Sequence, residues 1–207
     1  MRKVAGIVAM LLLAAEAPAS AETLRYAIMR NGDQIGTHTV EITRTGSETS
    51  VSLATNLVVK VLFVTFYHLQ HTDNERWANG HLVSLKSSTD NNGTKHNVSV
   101  VTKPTGLELD ADGKMSQLDR NIVTGSLWNA DILHHMQFLD AQDGQTLPLT
   151  VIDDGTDDVT VGGHPVKAHH YTLKSRYSQD VWFDDHQRLV QVKIVGSDGS
   201  IISYALI

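Results

Sequence analysis

The sequence predicts a mainly β protein: a single antiparallel, strongly curved sheet or open barrel with one amphipathic helix packed on it. Three observations carry this expectation. Turn dipeptides recur between short runs of β-branched and aromatic residues. One long apolar run, Leu57–Tyr67, reads as a strand covered on both faces. Only one stretch, Ser126–Asp140, has helical spacing.

The elements follow in order. Residues 1–21 have the layout of a secretory leader: Arg2 and Lys3 precede the apolar Val4–Ala15, and Ala19-Ser20-Ala21 supplies the small residues a signal peptidase needs. Glu16 and Pro18 interrupt the apolar run, which is too short to persist as a membrane-spanning helix. Cleavage is expected after Ala21. That leaves 22–207 as a single β-rich domain, periplasmic or secreted, with no stable transmembrane anchor.

From Leu24 the pattern is β-type. Leu24–Arg30 is closed by Asn31-Gly32-Asp33, and Gln34–Arg44 follows with Val40 and Ile42 alternating. Leu57–Tyr67 is expected to be the central strand, with Val59, Val61 and Phe63 toward the helix. Val58, Leu62, Val64 and Phe66 then need a different cover. Asn79-Gly80 is the strongest hairpin signal, because a type I′ turn needs positive φ at both central residues; it places Trp77 opposite Leu82. Asn92-Gly93, Asp112-Gly113 and Asp198-Gly199 read as further tight turns, the last folding Leu189–Val195 onto Ile201–Leu206. In Ser126–Asp140, Trp128, Ile132, Met136 and Leu139 form an apolar stripe, with Ser126 or Asn129 as the cap. The acidic Asp153–Gly163 is expected to join Leu147–Ile152 to Pro165–Lys174 as a hairpin.

Composition narrows the function. A net charge of −6 without a Lys/Arg cluster leaves no footprint for nucleic acid. The absence of cysteine excludes disulfides and thiol chemistry. The 11 histidines lack ligand spacing. His68 and His71 fall on opposite faces of a strand, and His134 and His135 diverge on a helix. His164, His169 and His170 are only loosely grouped. No metal site and no cofactor is assigned. No G-x-S-x-G elbow or phosphate-cradling loop occurs, and Ser126 reads as a cap, so no catalytic residue is named.

The aromatic residues remain. Either they fill a core, or some line an apolar ligand cavity of the kind barrel-like folds permit. On the second reading the ligand-binding residues are Val58, Leu62, Phe66, Trp77, Trp128, Met136 and Trp182, and the partner is a hydrophobic small molecule, a lipid or an envelope component. The function then expected is a non-enzymatic periplasmic binding domain. Its rivals are a hydrolase-type enzyme using His and Asp residues from loops, and a purely structural envelope domain.

Several short motifs carry a resemblance: Tyr26–Gly36 (YAIMRNGDQIG), Tyr67 with Glu75-Arg76-Trp77 and Gly80, and Leu82–Asp90. Trp128-Asn129, His170-Tyr171, Val181–Asp184, Arg188-Leu189 and Asp198-Gly199-Ser200 continue it. Over nearly the whole chain after the leader the sequence resembles the secreted bacterial family known as domain of unknown function 6134. That resemblance implies a periplasmic β-rich domain and brings no catalytic residues. In architecture alone, the pattern is similar to the half-barrel sheets wrapped round a helix in lipoprotein carriers, an analogy that cannot set function.

Overall fold

The computed structural model describes residues 19–61, 64–196 and 198–207. The first described strand lies in the middle of the sheet. From there β1 (Ser20–Arg30), β2 (Asp33–Thr45), β3 (Glu48–Val61), β4 (Val64–Ala78), β5 (His81–Asn91), β6 (Thr94–Lys103), β7 (Gly106–Ala111) and β8 (Lys114–Leu118) meander outward to one edge. A crossing segment then carries β9 (Val123–Thr124), β10 (Gln137–Leu139) and β11 (Thr146–Pro148) as a separate three-stranded sheet. At the opposite edge begin β12 (Thr150–Val161), β13 (His164–Lys174), β14 (Ser178–Phe183), β15 (Leu189–Val195) and β16 (Ile201–Leu206), which meander back until β16 pairs with β1. The result is one 13-stranded antiparallel sheet whose edges, β8 and β12, do not pair with each other.

Turn chemistry sets the register. Asn31, Asn79, Asn92 and Asp112 take positive φ, each followed by a glycine that does the same. Asn and Gly tolerate this left-handed backbone, so the two-residue turns fall where the dipeptides stand. Trp77 lies opposite Leu82, and Val195 opposite Ile201. Alternation then buries one face. Leu24 and Tyr26 on β1, Val40 and Ile42 on β2, and Val51 and Leu53 on β3 point into the main core, while Ile28 and Leu57 join a second, smaller cluster. Ile122, Val123, Ile132 and Leu139 of the crossing segment complete it.

Two expectations fail here. Among the described residues there is no α-helix. Ser126–Asp140 instead contains a five-residue 3-10 turn, Ala130–His134, capped by Asn129, whose side chain accepts from the Asp131 amide. Leu127 takes positive φ and so blocks a helix at its first turn, while Gln137–Leu139 pairs with β9 and β11. The apolar stripe is met partly by strand burial: Leu139 is fully buried as a β residue, and Met136 is 85% exposed. Second, Leu57–Tyr67 is not one central strand. Val61 pairs with Val64, so the run is two strand ends folded on each other. β2 reaches β3 only as far as Leu57, and β5 reaches β4 only as far as Leu69. The intervening hairpin therefore projects beyond its neighbours.

Candidate functional site

Register builds the interior in layers. Val51 lies between Ile42 and Glu75, and the row continues to Leu85 and Val100. The next row runs Leu24, Val40, Leu53, Asp73, Ser87 and Val98. A third runs Tyr26, His38, Thr55, His71, Thr89 and His96. Above it, Ile28, Leu57 and Leu69 make a small apolar cap. A polar His/Thr row is thus held between apolar layers, satisfied strand to strand. His38 Nδ1 lies 2.8 Å from Thr55 Oγ1, and His71 Nδ1 lies 2.9 Å from Thr89 Oγ1. Burial pushes both histidines down to about 4, His71 adding to the effect on His38, so both rings are neutral at pH 7.

One and two rows below, two acids face inward, Asp73 next to His71 and Glu75 beyond it beside Trp77. Glu75 is 1% exposed and saturated: Trp77 Nε1 and Trp128 Nε1 each donate to its Oε2 at 2.7 Å, and the Ser126 hydroxyl donates to its Oε1 at 2.9 Å. The two indoles meet edge to face, centroids 5.6 Å apart. Glu75 thereby ties the crossing segment to β4. Asp73 is fully buried, and neither of its oxygens has a hydrogen-bond donor among the described residues. Burial first, then the charge of Glu75, raises its pKa far above the carboxylate range, so it holds its proton at neutral pH. With that proton it can bond the Glu75 carboxylate, its neighbour on the same face of β4.

Beside this row lies a chamber of about 120 Å³. His38, Thr55 and His71 line one side of it, and Val192, Ile194 and Tyr204 the other. Ser126, Leu127 and Ala141 of the crossing segment close it, and half-exposed Tyr177 stands at its mouth. Burial raises Asp140 and Tyr204, disfavouring charge on both. Arg176 reaches across the turn beside Tyr177 to Asp143 at 2.8 Å and Asp140 at 3.4 Å.

The sequence-derived candidates are dispersed. Trp77 and Trp128 come together on Glu75. Trp182 lies elsewhere, stacked on His170 at 4.3 Å and donating to Asp157 Oδ2. Val58 is half-buried on the projecting hairpin. Phe66 is 73% exposed and Met136 is also in solvent. Leu62, like Phe63, lies outside the described residues. None of the six described residues lines the chamber. Among the described residues no three His, Asp or Glu side chains converge as a metal site. His38, Thr55, His71, Asp73 and Glu75 were not singled out by the sequence as a site.

A long antiparallel sheet curved round an inserted segment is a β-barrel-like domain, and comparison places it. Residues 26–207 match the family described as a domain of unknown function, DUF6134, and the chain belongs to that family. A similar solved structure is the crystal structure of a beta-barrel-like protein of the domain of unknown function DUF1849 from Brucella abortus. It is 8% identical, with a TM-score of 0.66 over 93% of this chain and 98% of that one, a likeness of fold alone. No curated protein matches.

Proposed function

We propose that this protein is an exported, periplasmic binding domain that takes a small molecule into the interior chamber. The carrying observation is the polar row. Buried hydroxyl and imidazole groups cost stability unless paired, and here they stand around a cavity enclosed by the curved sheet and the crossing segment. An apolar space with a few convergent polar groups is the usual form of a ligand site. The leader-like residues 1–21 support export. The chamber's about 120 Å³ holds roughly four waters' worth of ligand and falls below the ~300–1,000 Å³ of larger ligand sites, which narrows a lipid-like ligand to a compact one.

A hydrolase is favoured less. The His38 and His71 rings, depressed to about 4, are weak bases near neutrality, and the Ser126 hydroxyl donates to Glu75 and not to a histidine.

Gln179 lines the chamber and its side chain makes no hydrogen bond to the polar row among the described residues, so Gln179→Trp fills it while leaving that row intact. In ligand-observed NMR with a library of compounds of up to about eight non-hydrogen atoms, wild type is expected to bind a subset and Gln179→Trp to lose them. Absence of binding to wild type, or equal binding to the filled variant, overturns the reading.

A further inference from the structure

We propose that this protein carries a second binding site, a cleft at the β12 side of the sheet that takes a small amphipathic organic cation, a primary amine with an apolar body. The cleft has a volume of about 570 Å³, within the ~300–1,000 Å³ of small-molecule sites, and shares no lining residue with the interior chamber. Register builds it. His169 and Tyr171 alternate onto one face of β13, with Tyr171 opposite Asp153 on β12 and His169 opposite Phe183 on β14. The β14–β15 turn adds Asp184, Asp185 and Gln187, and the 3-10 turn supplies the facing wall with Ala130, Leu133 and His134.

The lining has an apolar floor and an acidic rim. Phe183 is buried, Tyr171 meets it edge to face with centroids 6.5 Å apart, and Val151 and Leu133 stand beside them half-buried. His169 stacks on Tyr171 at 5.4 Å and so braces the ring. Three carboxylates line the cleft, and no lysine or arginine does. Asp184 is already matched, because Arg188 Nε and Nη2 meet its Oδ2 at 2.8 and 2.6 Å. Asp153 and Asp185 differ. Asp153 Oδ1 accepts from the Gly155 amide at 2.9 Å and lies 3.8 Å from His169 Nε2. Among the described residues, its Oδ2 and both oxygens of Asp185 accept no hydrogen bond.

That combination selects the ligand class. An anion would approach two unmatched carboxylates with no basic side chain to receive it. A neutral molecule would use the floor alone and leave the rim to water. A cation with an apolar body uses both: its hydrocarbon part displaces water from Tyr171, Phe183 and Val151, and its ammonium group donates to the carboxylates at the rim. Because the cleft and the chamber have separate walls, occupancy of one leaves the reading of the other untouched.

The test is a chemical-shift titration of the full chain at pH 8, above the ordinary histidine range, with phenethylammonium chloride, 2-phenylethanol and sodium 3-phenylpropanoate. In wild type the ammonium is expected to bind tightest, shifting the amides of Leu133, His169 and Tyr171 and leaving those of Val192 and Tyr204 in place. The alcohol is expected to bind about fivefold more weakly and the carboxylate more weakly still. Asp153→Asn keeps an oxygen for the Gly155 amide, and combined with Asp185→Asn it is expected to bring the ammonium down to the level of the alcohol. Tyr171→Leu is expected to weaken ammonium and alcohol alike. Binding of the alcohol or the carboxylate as tight as the ammonium, or an ammonium preference that survives the double substitution, overturns the cation assignment. No shifts at the cleft, or shifts confined to the chamber, overturn the site itself. Should a variant not fold, the order of the three probes on wild type and the map of shifted amides decide the matter alone.

Discussion

At the scale of single residues, the interior polar groups make stability depend on pH in opposite directions. His38 and His71 have folded pKa values near 4, below the ~6.5 of an unfolded chain, so unfolding takes up protons as the pH falls from about 6.5 to 4. Their contribution is present above about 6.5 and lost on acidification. Asp73 is raised instead, so the unfolded chain releases a proton the folded one keeps, and its contribution is lost as the pH rises toward its folded value. Between about 4 and 6.5 two histidines outweigh one aspartate, and above that Asp73 acts alone, placing the optimum for these groups near pH 6.5. In urea unfolding, wild type is expected to lose up to about 1.4 kcal/mol per unit between pH 6.5 and 8, and Asp73→Asn to stay nearly flat. An equal slope in the variant would assign it to another group.

At the scale of elements, what the sequence made legible is what single dipeptides and alternation determine. Asn79-Gly80, Asn92-Gly93 and Asp112-Gly113 turn where they stand, because no other local conformation suits them as well. The 126–140 segment was misread since an apolar spacing of three and four is also satisfied by a 3-10 turn followed by a strand, once β9 and β11 offer partners. The polar row was harder. Each His or Thr is unremarkable in its own strand, and only register brings His38, Thr55, His71 and Thr89 into line. One signal did exist: on β4, alternation sets His71, Asp73, Glu75 and Trp77 on a single face. Gly36 shows how close that registry is. An added Cβ would overlap the backbone at Asn56 and Leu57 on β3. Gly36→Ala is expected to cost about 1–3 kcal/mol in urea unfolding, with weakened amide protection along the β2–β3 pair. A neutral outcome would mean that the two strands are free to separate there.

At the scale of the whole molecule, the path of the chain makes the chamber a product of both halves. β1–β6 supply the polar row, β15 and β16 supply Val192, Ile194 and Tyr204, and the segment between the two halves supplies the closure. That segment is fastened from within by few polar ties: Ser126 and Trp128 to Glu75, and the Ala141 carbonyl to Ser87. Sheet strands, by contrast, are held by continuous ladders on both sides, so the two parts need not open at the same free energy. Glu75 is therefore the residue whose change separates them. Glu75→Gln keeps one amide oxygen for the two indoles and turns an amide N–H toward the Ser126 hydroxyl, so three hydrogen bonds to a carboxylate become weaker neutral ones and the Ser126 bond must reverse, a cost of about 1–3 kcal/mol. Because the loss falls on the crossing segment, hydrogen exchange is expected to quicken across 122–149 while β1, β2 and β3 keep their protection. Uniform quickening would instead show that the closure and the sheet open as one unit.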